Sequence, residues 1–143
     1  MPKEVMEKTY ECFASGDMET FQTLHTEDCV FTMNGAHQLS GTFNGMADFM
    51  ERMMSQIPIV FPPNFSLVNE WMISEGNKVF THAKATGDGL DAYFGFASEI
   101  EGDKIKKITI YADSQKLSDA FQTTWFRKLV SGLSNQYLNT NIL

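Results

Sequence analysis

The chain has 143 residues, a length that ordinarily folds as one domain and buries enough surface to stand without a disulfide or a metal. Hydrophobic residues make up 43% and charged residues 20%, the balance of a globular protein rather than a disordered one. The net charge of −7, with a pI near 4.8, leaves no surplus of Lys and Arg to displace counterions, so neither nucleic acid nor an anionic membrane is an expected partner. No window approaches the ~18 consecutive apolar residues of a membrane span, and Met1-Pro-Lys-Glu begins no apolar signal region. Cys12 and Cys29 match no zinc spacing and make a weak disulfide case, so the expected location is a reducing cytoplasm and no metal or cofactor is expected.

Residues 3–15 read as a helix, with Val5, Met6, Tyr10 and Phe13 at helical spacing and Gly16 as its stop. Asp17 can cap a second short helix on which Phe21 and Leu24 share a face. Cys29–Met33 is a short strand closed by Asn34-Gly35, and His37–Phe43 a second, ended by Asn44-Gly45. Met46, Phe49, Met50, Met53 and Ile57 form the clearest amphipathic helix pattern in the chain, closed off by Pro58 and Pro62-Pro63. From residue 65 the period changes to two. Phe65–Ser74, Lys78–Gly87, Asp91–Ile100 and Lys104–Asp113 are strand-like runs joined by turns too short for anything but antiparallel neighbours. Ser118–Ser134 is a last amphipathic segment, and Asn135–Leu143 is polar and expected to fray. Helices followed by a four-strand meander argue for an α+β domain with its helices on one face of the sheet. The 12 Phe and 9 Met suit a deformable apolar interior.

Three stretches carry a resemblance. Tyr10–Phe21 runs helix, Gly-Asp corner, helix; Glu27-Asp28-Cys-Val-Phe leads into Ser40-Gly41-Thr and the Met46–Met54 helix; Phe96–Ile100 leads through Glu-Gly-Asp-Lys-Ile into Ile108–Asp113. In this order, over residues 3–115, they resemble the nuclear transport factor 2-like superfamily, in its branch of SnoaL-like polyketide cyclases and ketosteroid isomerases. The resemblance implies a cone: a curved, mixed but mainly antiparallel sheet wrapped around three helices of the N-terminal half. Residues 1–117 would form this domain, with an additional C-terminal helix and tail over 118–143. It also implies a homodimer through the outer sheet face, where Thr109, Tyr111 and Ile105 are expected. Fold alone does not assign an activity within such a family.

Laid against a steroid isomerase, the chain has Met33 where a proton-shuttling carboxylate would stand, Phe96 at the second acid, and Thr9 or Tyr10 near the oxyanion-hole tyrosine. A thioether cannot abstract a proton. The working acid of the cyclases falls at Ile110, and Asp113, an odd number of residues further on, would reach that face only through a bulge. The same alignment turns Phe31, Met33, Phe80, His82, Phe94, Phe96, Ile108 and Ile110 inward, covered by Phe13, Met50 and Met53; Tyr10, Tyr93, Tyr111 and Trp71 can each offer a donor to that pocket. His82 is the sharpest candidate, since imidazole exchanges a proton near neutrality, while His25 and His37 read as surface residues.

Three readings follow. One is a protein holding a small apolar or aromatic molecule in the cone, oriented by His82. The second is an isomerase, cyclase or hydrolase using His82 with Asp113 or Tyr10 as acid–base. The third is a dimeric assembly module whose core is filled by its own side chains. A cavity below the ~300 Å³ usual for ligand pockets favours the third.

Overall fold

The computed structural model describes the backbone of residues 1–142 and the side chains of residues 1–131. Helix α1 (Pro2–Ser15) starts with proline at its first turn and ends at Gly16, whose φ of +80° is the left-handed cap that glycine adopts without strain. Asp17 then caps α2 (Met18–Thr23), accepting from the Thr20 amide at 3.2 Å. The strands are β1 (His25–Met33), β2 (Gly41–Asn44), β3 (Ser66–Glu75), β4 (Lys78–Gly87), β5 (Leu90–Glu101) and β6 (Lys104–Ala112). They form one sheet in the order β2-β1-β6-β5-β4-β3. Every pair is antiparallel except β1 and β6, which run parallel. The result is the expected α+β architecture with a mixed sheet.

Between β2 and β3 the single expected helix is three pieces: α3 (Met46–Phe49), a π-helical stretch Met50–Met54, and α4 (Ile57–Val60). The wider π turn inserts one residue per cycle and rotates every later side chain about the axis. Helix α5 (Ser114–Ile142) runs through the expected boundary at 117/118. Its first turns are part of the domain, because Leu117, Ala120, Phe121 and Thr124 are buried and Phe121 stacks on Phe61 at 5.1 Å. Trp125, Phe126, Leu129 and Val130 are exposed beyond them. The fraying expected of Asn135–Leu143 falls on side chains outside the described residues.

The core lies between the helices and one sheet face. On β4 that face carries Val79, Thr81, Ala83 and Ala85, all nearly inaccessible, while Phe80, His82 and Lys84 project to the other side. Small residues are required here because α1 lies close against the strand, joined to it by the Tyr10 hydroxyl, which donates to Thr81 Oγ1 at 2.9 Å. On β6 the register with β5 shifts beside Ile100, and the inward set is Ile105, Ile108 and Ile110. Ile105 is therefore wholly buried rather than on the outer face, where Tyr111 does stand. Among the described residues no helix is long and apolar enough to cross a membrane.

Candidate functional site

A cavity of about 90 Å³ lies between α1, α2, the α3–α4 segment with its π turn, and the inner faces of β1, β3, β5 and β6. Of the residues expected to line it, Tyr10, Phe13, Phe31, Met33, Met53, Phe94, Phe96, Ile108 and Ile110 do. Alternation places Phe31, Met33, Phe94, Phe96, Ile108 and Ile110 correctly because their strands keep even spacing at these positions, and helical spacing places Tyr10, Phe13 and Met53. Phe13 also borders two shallow surface depressions, one shared with Phe65 and one with Met18 and Met50.

The other expected residues stand elsewhere, each for a local reason. His82 is on the outer face, its ring stacked between Trp71 and Tyr93, each at 4.8 Å, with Nε2 3.2 Å from Glu70 Oε1. The facing of β4 is thus opposite to that expected, and the lysine at position 84, sharing the His82 side, is the sequence signal for it. Phe80 lies on the same outer side, over Gly95, where a Cβ would come within 2.8 Å of its ring. Trp71 is half exposed because a bulge at Glu70 flips β3 after Asn69, so that Leu67 faces the cavity and Trp71 faces out. Met50 lines a surface depression, and the π turn brings Met54 into the cavity in its stead. Asp113 is exposed past the end of β6, where it accepts from the Lys116 amide at 3.1 Å and caps α5. His82, Asp113 and Tyr10 do not converge.

The imidazole that does line the cavity is His25, at the start of β1 and 3% exposed. It was expected at the surface; the signal for burial is its spacing of four from the buried Phe21, on the same face of the ending helix. Its ring packs against Phe21 at 4.6 Å and Phe31 at 5.3 Å. Nδ1 lies 2.7 Å from the Phe21 carbonyl oxygen. A carbonyl only accepts, so Nδ1 carries the hydrogen and Nε2 of the neutral ring is an acceptor. Burial pushes the His25 pKa down to about 4, with the Phe21 hydrogen bond opposing more weakly. His37 is half-buried in the β1–β2 loop, where Nδ1 accepts from the Leu39 amide and burial lowers its pKa.

The remaining polar groups of the cavity are hydroxyls already engaged. Thr9 Oγ1 donates to the Val5 carbonyl at 2.8 Å, and the Tyr10 phenol is held to Thr81. Desolvation raises the Tyr10 pKa well above that of a free phenol. Among the described residues no Asp, Glu, Lys or Arg borders the cavity. Met33, Phe96 and Ile110, the positions matched to family carboxylates, are all in the wall. Cys12 and Cys29 are free thiols in the core, and burial pushes Cys29 up to about 12.

The family model for the SnoaL-like domain matches residues 6–108. No curated protein sequence matches the chain. Among solved structures, Bal32a, from a soil-derived mobile gene cassette, superposes with a TM-score of 0.74 at 17% identity, over 84% of this chain and 95% of its own. A protein of unknown function with a cystatin-like fold from Xanthomonas campestris gives 0.73 at 21% identity, over 84% and 96%. An NTF2-like protein from Burkholderia xenovorans gives 0.69 at 16% identity, over 84% and 95%. At these identities the likeness is one of fold.

Proposed function

This chain belongs to the SnoaL-like domain family, and from that premise we propose that it is a non-catalytic binding domain holding one small apolar molecule between its helices and sheet. The observation that carries the reading is the cavity: about 90 Å³, walled by Phe, Met and Ile, with no carboxylate and one neutral imidazole. Acid–base turnover needs a group that changes protonation near the working pH. His25, with a pKa near 4, is a weak base at neutrality, and the Tyr10 hydroxyl is committed to Thr81. At about 90 Å³ the cavity is below the ~300 Å³ usual for ligand pockets, which favours a core filled by its own side chains over a steroid-sized or polyketide-sized guest and restricts the binding reading to a guest of one small ring. Apolar cavities of roughly 150 Å³ take benzene. Met6, Met33, Met53 and Met54 in the wall supply the adjustable side chains that enlarge a hollow of 90 Å³ toward that size. Phe13, shared between the cavity and both surface depressions, is the side chain an entering molecule displaces.

The test is a titration of protein carrying ¹³C-methyl methionine with benzene. Saturable shifts confined to Met6, Met33, Met53 and Met54, with Met1 and Met72 unmoved, are the expected result. Unmoved cavity methyls at benzene saturation favour a core filled by its own side chains.

The outer face supports a homodimer as the assembly that presents this site. Val68 (57%), Trp71 (48%), Ile73 (62%), Tyr93 (52%) and Tyr111 (51%) are large apolar groups exposed on one sheet face, more than a monomer ordinarily leaves in water. The charges among them alternate in sign, with Lys84 2.5 Å from Asp91 and Lys78 3.8 Å from Glu99, a pattern that can meet its own copy across a two-fold axis.

A further inference from the structure

We infer that the molecule taken by the cavity carries a hydroxyl, and that Nε2 of His25 accepts its hydrogen bond: the ligand class is a small hydroxylated ring, phenol being the simplest member. This rests on the binding role proposed above and adds the group that selects the guest. Three observations carry it. First, Nδ1 of His25 is anchored to the Phe21 carbonyl, which fixes both the tautomer and the ring plane. Second, among the described residues Nε2 has no hydrogen-bond partner, and it is not among the polar atoms sealed off by protein although the residue itself is buried, so a small molecule in the cavity can reach it. An accessible acceptor with no protein partner is free to take the hydrogen bond of a ligand hydroxyl. Third, the hydroxyl hydrogens of Thr9 and Tyr10 are already donated, to Val5 and to Thr81. Among the described residues the cavity offers acceptors and no free donor. A ketone or aldehyde oxygen would therefore be buried without a partner, while a hydroxyl is satisfied at His25.

The selectivity has a scale. A neutral hydrogen bond contributes net roughly 0.5–1.5 kcal/mol, equal to a preference of about two- to twelvefold. It is read by measuring dissociation constants of phenol and benzene by NMR titration against wild-type protein and His25→Leu. Phenol is expected to bind wild type more tightly than benzene by about fivefold, and the ratio of the two dissociation constants should fall to about one in the variant, whatever the change in either constant alone. A second measurement needs no variant: in wild-type protein with ¹⁵N-labelled histidine, phenol should move the His25 Nε2 resonance and benzene should leave it in place. If both rings bind with equal affinity and Nε2 does not respond to phenol, the inference fails and the apolar binding role stands. If neither ring binds, the binding role itself fails and the inference falls with it.

Discussion

Replacing His25 tests the physical state of the ring on which both the site and its selectivity depend. In an unfolded chain a histidine takes up a proton near pH 6.5; in the fold, between Phe21 and Phe31, His25 resists protonation until about pH 4. Between those values the unfolded state binds more protons than the native state, so stability rises with pH through this window and is lost as pH falls through it. A separation of about 2.5 units at 1.36 kcal/mol per unit makes the native fold about 3 kcal/mol less stable at pH 4 than at pH 7 through this one group. His37, also lowered by burial, adds a smaller term of the same sign, and the lowered carboxylates of Asp48 and Asp91 matter mainly below pH 4. The assay is urea denaturation of wild type and His25→Leu at intervals from pH 4 to pH 7. The difference between the two proteins cancels the shared groups, and the wild-type curve should fall about 3 kcal/mol further than the variant's on acidification. Parallel curves would show that His25 titrates alike folded and unfolded, and would refute the picture of a neutral buried imidazole.

Other consequences are open to direct measurement. Tyr10→Phe leaves Thr81 Oγ1 buried without its partner and should cost about 1–3 kcal/mol in urea denaturation, while Tyr10→Phe combined with Thr81→Val should recover most of the loss. Phe31→Ala removes a ring that is 2% exposed and stacked on Phe49 at 3.7 Å; it should cost about 3–5 kcal/mol, and benzene should restore part of that. Sedimentation velocity at micromolar concentration should show a dimer for wild type and a monomer for Trp71→Asp. A wild-type monomer would remove the outer-face assembly.

The fold was legible in the sequence because its cues are local. The turns at Glu75-Gly76-Asn77, Gly87-Asp88-Gly89 and Glu101-Gly102-Asp103 set the meander, and the four strands end within a residue or two of the expected limits. Facing was harder, since one inserted residue reverses it. The bulge at Glu70 turned Trp71 outward, the π turn at Met50–Met54 exchanged Met50 for Met54, and β4 put its small residues inward to admit α1. The bulge and the π turn leave no mark on the periodicity, whereas Lys84, on the same side as His82, marks the facing of β4. His82 and His25 exchanged places for this reason. The histidine in an aromatic strand run stacks on the outer sheet, and the one that ends a short helix is drawn into the core by Phe21.

Xenon tests the central claim most directly, because it enters apolar cavities and leaves polar or filled ones alone. In a crystal held under xenon pressure, a xenon atom bounded by His25, Phe31 and Phe96 is the expected result. An interior that takes up no xenon, or one that holds ordered water at that position, would contradict the account.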